Sequence, residues 1–375
     1  MSGTTDPFRP APRSPRLTAE GVSPSADGSS SVHVCAPDDP GWLAFLASQQ
    51  GATLFHHPAW ARVLSQTYGY RSLVLAQADL DGRIVGGTPA VELRGLLGRR
   101  YVALPFTDHC PPLADSPVAM ETLSRNLSAW RKATRAKELV IRGALPAATG
   151  IHLVSHGVRH TLPLADGSQE ILKRLQGGPV ARAIRKAERE GVIARVSTSM
   201  ADLSSFYRLH LATRRRLGVP IQPKRFLESI WRECFASGLG FAVVACWRSH
   251  PVAAGLFLAW NGTLIYKFGA SDPRYWQLRP NNLVMWAAIQ WGTAHGFRWL
   301  DFGRSDLDNH GLRDFKSRWG ATEVPLVYSH LSDAPPGPAP QLLKQALSRV
   351  IRTSPPIVCR GIGELLYGRA AGRFA

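Results

Sequence analysis

The chain of 375 residues is 45% hydrophobic and 19% charged, a globular balance that rules out disorder across the body and leaves room for two ordinary cores. Its 45 Lys and Arg against 27 Asp and Glu give a net charge of +18, which favours polyanionic partners such as tRNA, nucleotide diphosphates, coenzyme A or anionic lipid head groups, with simple solubility as the alternative. No stretch approaches the ~18 uninterrupted apolar residues of a membrane span.

Residues 1–32 crowd Pro, Ser, Thr and Gly together and read as a disordered leader with too few large apolar side chains to offset ordering entropy. The leader lacks the apolar run of a secretory signal, so a cytoplasmic protein is expected. Cys35, Cys110, Cys234, Cys246 and Cys359 are odd in number and show no C-x-x-C spacing, which predicts reduced structural thiols rather than a metal or redox site.

From Phe55 to Tyr68 apolar residues recur at helical spacing, with Pro58 where a first turn tolerates it. Ser72–Ala78 and Arg83–Leu93 are β-rich runs around an Asp81-Gly82 turn, a hairpin signal because both turn residues tolerate positive φ. Tyr101–Phe106 is predicted as a strand, Ala119–Ala136 as a helix and Glu138–Arg142 as a short strand.

The second half repeats this order at greater length. Helices are predicted for Gln169–Glu190, Leu203–Leu217 and Pro223–Ala236, then strands for Phe241–Trp247, Val252–Trp260 and Thr263–Ala270, the last two joined at Asn261-Gly262. A long helix, Asn281–His295, ends at Gly296, and Trp299–Phe302 closes as a strand. The run A-x-x-D-G-R-I-V-G-G at Ala78–Gly87 is echoed at Ala245–Gly255. Duplication explains the echo, and so would two ordinary hairpins. Beyond Tyr328, Ser332–Pro340 reads as a linker. A basic amphipathic helix follows, with Leu342, Leu343, Ala346, Leu347, Val350 and Ile351 on one face. It either docks on the body or lies on an anionic membrane surface through residues 340–352.

Between residues 162 and 330, 23 cations face 13 acids, a net +10. There Arg182, Arg185, Lys186 and Arg189 fall at i, i+3, i+4 and i+7, four cations on one helix face that an anion would relieve; a solvated face eased by Glu188 and Glu190 is the bland alternative. In L-P-F-T-D-H-C-P-P-L, just after a predicted strand, Asp108 beside His109 offers a general base for an amine, although an Asx-turn explains the same letters. In Trp299–Gly320 a strand end delivers Arg304 and Ser305 into a polar loop, followed by Arg313, Phe315, Lys316, Arg318 and Trp319. These cations would hold a phosphate or polarise an ester carbonyl, unless Asp301, Asp306, Asp308 and Asp314 pair with them; the aspartates do not fit a calcium-binding loop. Arg279, Asn281 and Asn282 sit at the predicted start of a long helix, where unpaired N–H groups attract anions.

Four ordered signatures between Leu54 and Tyr328 carry a family resemblance: F-H-H-P-A-W-A-R, P-F-T-D-H-C-P-P-L, I-R-K-A-E-R-E-G, and F-G-R-S followed by F-K-S-R-W-G. The chain resembles the Fem-like aminoacyltransferases (FemAB- and FemX-type) and their near relatives, the acetyltransferases of exopolysaccharide clusters. That resemblance implies an α/β fold of two tandem acetyltransferase-like (GNAT) domains, each a mixed sheet flanked by helices, here 33–161 and 162–330, with 331–375 as linker and tail. Fem-type members take an amino acid from aminoacyl-tRNA and join it by an amide bond to a peptidoglycan precursor amine.

By the same resemblance Asp108 matches a base or amine-orienting carboxylate, Arg62 and Arg185 match phosphate holders, and Lys316 matches a cation near the reacting carbonyl. The expected co-substrate is aminoacyl-tRNA or, as runner-up, acyl-coenzyme A with an amino-sugar acceptor. No permanently bound cofactor is expected, and the acceptor would be an anionic nucleotide- or lipid-linked precursor. In acetyltransferases the loop matching Leu278–Leu283 is glycine-rich, whereas here Pro280 removes a donor and no glycine is present. A non-catalytic tRNA- or membrane-binding module is the reading from another class. The long coiled-coil arm of some family members is not seen.

Overall fold

An antiparallel run of strands, a helix and then a strand parallel to the run's last member: this unit occurs twice along the chain. The computed structural model describes residues 31–95, 98–337 and 341–369. The leader lies outside these residues except at its end, where Val32 already opens a strand. The first half comprises β1 (Val32–Cys35), α1 (Pro40–Ser48), α2 (Pro58–Tyr68), β2 (Arg71–Ala78), β3 (Ile84–Gly95), β4 (Gly98–Val102), β5 (Leu113–Ala114), α3 (Pro117–Ala133), β6 (Glu138–Ile141) and β7 (Ile151–Pro163). The second comprises α4 (Gly167–Arg174), α5 (Pro179–Arg189), β8 (Val192–Ser197), α6 (Met200–Leu217) and α7 (Lys224–Ile230), which runs into a π-helical turn, Trp231–Phe235. Then come β9 (Gly240–Trp247), β10 (His250–Trp260), β11 (Thr263–Ser271), a 3₁₀ turn at Pro273–Leu278, α8 (Pro280–Ala294), β12 (Trp299–Ser305), α9 (His310–Ser317) and β13 (Thr322–Leu331), with α10 (Gln341–Thr353) and α11 (Pro356–Arg369) as the tail.

Local chemistry explains where several elements depart from expectation. The first predicted helix begins at Pro58 rather than Phe55, because His57 is its cap and accepts from the Ala59 N–H at 3.2 Å. The single helix expected over Gln169–Glu190 is two, broken where Gly177 takes φ +75° and Pro179 restarts the coil. The strand expected over Tyr101–Phe106 ends at Val102, because Phe106 adopts φ +61° and turns the chain. Strand β7, the polar-faced β8, β13 and helix α9 are additions that periodicity did not announce.

The strands form one mixed sheet in the order β1-β2-β3-β4-β6-β13-β7-β12-β11-β10-β9-β8, with β5 beside β3. In the first half β2, β3 and β4 are antiparallel neighbours and β6 returns parallel to β4; in the second, β9, β10 and β11 do the same and β12 returns parallel to β11. The closing strands are exchanged. β7, following β6, pairs with β12, while β13, following β12, pairs with β6, and the two exchanged strands pair with each other. The expected boundary at 161/162 therefore falls inside β7.

Alternation along β9 to β11 sends Ala242 and Val244 to a core shared with α2, α6 and α7, and Phe241, Val243 and Ala245 to another shared with α5 and α8. The first core joins the halves, since Trp60, Leu64 and Phe106 pack with Phe206, Phe226 and Ile230.

The tail docks. Ile351 and Cys359 are buried, Arg215 Nε donates to the Ser354 carbonyl at 2.8 Å, and a Cβ on Gly218 would collide with Ser348. Residues 338–340 of the expected linker lie outside the described residues.

Candidate active site

β11 and β12 pair only over Thr263–Ile265 and Trp299–Asp301, after which they part. The loop after β4, Ala103–Leu113, fills the top of this opening, and its carbonyls are held by side chains from elsewhere. Arg142 donates from Nε to the Ala103 carbonyl at 3.0 Å and from Nη1 to that of Thr107, Lys267 Nζ donates to Phe106, and Tyr328 Oη donates to Asp108 at 2.7 Å. His56 accepts from Thr53 N at Nδ1, so Nε2 carries the proton it donates to the Pro111 carbonyl at 2.8 Å. A loop fixed at this many points, with a buried cation against it, holds Asp108 rigidly.

Asp108 Oδ2 accepts from the Arg304 N–H at 3.3 Å. Burial pushes its carboxyl up, but Lys267, the Arg304 N–H, Lys316 and Arg142 outweigh that and hold it below the ordinary carboxylate range. Gly303, at φ +71°, makes the approach feasible: a Cβ there would stand 2.8 Å from Asp108 Oδ2. Lys316, 2% exposed, donates to the carbonyls of Gly303 at 2.7 Å and Arg304 at 3.0 Å. Burial pulls its ammonium down to about 8, against the opposing pull of Asp108 and Asp301. Asp301 moves the other way: burial raises its carboxyl despite Arg159 and its 2.8 Å bond from the Gly303 N–H.

Sequence reasoning missed Lys267. Its ammonium lies 5.0–5.5 Å from the ring centres of Phe55, Trp60 and Phe268, and burial lowers its pKa while Asp108 raises it. The signal was present as a lone lysine in an otherwise apolar strand, T-L-I-Y-K-F-G-A, where an unpaired charge would be costly to bury.

A cavity of about 390 Å³ opens on the other side of α9, lined by Val180, Arg182, Ala183 and Lys186 of α5, Arg279 and Asn282 at the start of α8, and Phe315 and Arg318. Four cations converge on it. The arginine helix and the F-K-S-R-W-G segment thus share one space, joined by the helix that also carries Lys316.

Other expected residues stand elsewhere. Arg185 and Arg189 are exposed and do not line the cavity: Arg185 is rotated about 60° from Arg182, and Arg189 shares its face but lies about 10 Å further along the axis, beyond Lys186. Arg62 is paired with Glu233 at 2.6 Å on the sheet face away from the cavity. Asn281 turns inward to Ser271 Oγ at 3.1 Å, Arg313 is bound by Glu323 at 2.9 Å, and the Arg304 guanidinium pairs with Asp306. Ser305 is buried. His109 is driven down to about 3 by burial, Arg159 and His56, so its imidazole is neutral and weakly basic at neutral pH.

The sheet that parts after one parallel pairing is the arrangement of a GNAT-type acyltransferase domain, here present as two halves in tandem with a cationic cavity beside the second. Residues 179–317 match the family model described as an acetyltransferase (GNAT) domain. Among solved structures the chain is similar to FemX (15% identity, TM-score 0.63, covering 81% of this chain and 97% of that one). It is also similar to a tandem GNAT protein from the clavulanic acid biosynthesis pathway (13%, 0.53, 82% and 100%) and to L-PGS from Bacillus licheniformis (14%, 0.50, 85% and 98%). At these identities the likeness is one of fold. No curated protein matches the sequence.

Proposed function

We propose that the protein forms amide bonds by transferring an amino acid from aminoacyl-tRNA to the amine of an anionic cell-wall or related precursor. The observation that carries this reading is the arrangement around α9: a cavity with Arg182, Lys186, Arg279 and Arg318 on one side, and Lys316 with Asp108 on the other. Phosphates of the donor would rest in the cavity, and a net +10 between residues 162 and 330 suits a long phosphate backbone. The Fem-like signatures and the fold shared with FemX point the same way.

In this scheme the ionised Asp108 draws and orients the incoming ammonium, which gives one proton to solvent, and the resulting neutral amine attacks the ester carbonyl. Lys316 in its charged form stabilises the oxyanion. A C–N bond forms, the C–O bond to the ribose breaks, and the proton released by the amine is matched by the one the ribose hydroxyl takes up. No covalent enzyme intermediate is required. The second reading, acyl-coenzyme A as donor, is favoured by the acetyltransferase domain match, while Pro280 at the start of α8 removes one backbone donor from a pyrophosphate site. Thermal shift separates the two: stabilisation by charged tRNA that fades steeply with salt supports the first, and stabilisation by acetyl-coenzyme A alone replaces it with the second.

A further inference from the structure

We propose that the corner between α10 and α11 seats the protein on an anionic membrane surface. The tail was expected either to dock or to meet a bilayer; it does the first with one side, and the other side is built for the second. Ile351 and Cys359 point into the body and are buried. On the outer side Val350, Ile357 and Val358 are 47%, 75% and 41% exposed, and Arg349 and Arg352 are exposed beside them, while the guanidinium of Arg360 lies over the Tyr207 ring of the body.

The surface continues onto the body. Arg352 donates to the carbonyl of Leu217, itself 47% exposed, at 3.4 Å. One residue earlier, Arg216 stacks over Trp276, whose ring is partly exposed while its Nε1 donates to Ser271 Oγ at 2.9 Å. From residue 334 to 363 the chain has no Asp or Glu and has Lys344, Arg349, Arg352 and Arg360.

Aliphatic tips with arginines beside them and an anchored indole at the margin match the layering of a bilayer surface: tips below the phosphates, guanidiniums among them, indole at the boundary. A nucleic acid would use the charges but gains nothing from Ile357 and Val358, because single-stranded recognition stacks bases on aromatic rings. Among the described residues no helix is long and apolar enough to cross a membrane, so the contact is peripheral. It stands whichever donor or acceptor the enzyme uses.

Co-sedimentation of the full-length protein with phosphatidylcholine vesicles, with and without phosphatidylglycerol, tests this. Wild type should partition onto the anionic vesicles and fall off as salt rises. Ile357→Ser with Val358→Ser should weaken partitioning roughly tenfold or more, Arg349→Gln about fivefold, and Ile357→Trp should strengthen it. All these positions are exposed, so an unchanged melting temperature certifies the fold. No partitioning of wild type, or undiminished partitioning of the double serine variant, overturns the proposal. So does loss of tRNA binding in the serine variant with vesicle binding intact, which would make this an RNA surface.

Discussion

Phe315 and Lys316 are neighbours on α9 that face different compartments: the ring lines the cationic cavity with Arg182 and Lys186, and the ammonium turns to the Gly303 and Arg304 carbonyls. A single helical turn thus couples the place where phosphates would be held to the place where Asp108 waits. Anything that shifts α9 disturbs both.

Lys316→Met should lower turnover by about a hundredfold or more while leaving donor binding nearly intact, in line with loss of one oxyanion-stabilising group. Because burial brings the ammonium down to about 8 and the charged form is the active one, the wild-type rate should decline as pH rises through that value. Lys316→Arg, which keeps its charge to much higher pH, should lose that alkaline limb even if it is slower. A wild-type profile flat from pH 7 to 9.5 would remove Lys316 from the chemistry.

Lys267→Met keeps the stem's volume but removes the donor to Phe106 and the cation that most lowers the Asp108 carboxyl. Asp108 should then titrate higher, moving the acid limb of the rate profile upward, since a carboxylate with less cationic support is protonated more readily as pH falls. Turnover should fall more than tenfold because the loop loses an anchor. An unmoved acid limb with full activity would reduce Lys267 to packing.

Gly303→Ala places a methyl against Asp108 Oδ2 at a positive φ. Strain of this kind costs about 1–2 kcal/mol, and a lower melting temperature should accompany a fall in turnover as Asp108 is displaced. Gly311, around which nothing lies within 4 Å of an added Cβ, is the control position in α9.

Arg182→Ala and Lys186→Ala should each raise the donor's apparent KM about tenfold with turnover largely kept, since each removes one charge from a phosphate cradle. Arg185→Ala and Arg189→Ala, on the same helix but outside the cavity lining, should change it less than twofold. Equal effects at all four positions would mean that the helix acts through its general field, not through the cavity.

The hairpins were legible because their turn residues tolerate positive φ: Asn261 and Gly262 both take it, and at Asp81-Gly82 only the glycine does. The cationic helix was legible through spacing, although spacing cannot say which two of four arginines and lysines turn toward a neighbour. β7 and β13 were not, since each is paired on both sides and mixes polar residues such as His152, His156 and Glu323 among its apolar ones; their partners lie far along the chain, where periodicity carries no information. Lys267 stands out as the one charge in an apolar strand, but its role is legible only beside Asp108, 159 positions away.

The reciprocal trade of β7 and β13 makes the halves mutually dependent. A chain severed between Leu164 and Gly167 would leave β6 and β12 each with a bare edge where a borrowed neighbour belongs, so neither fragment is a free-standing module, however similar their blueprints. Supplied together, the two pieces have a route to a working enzyme that neither has alone.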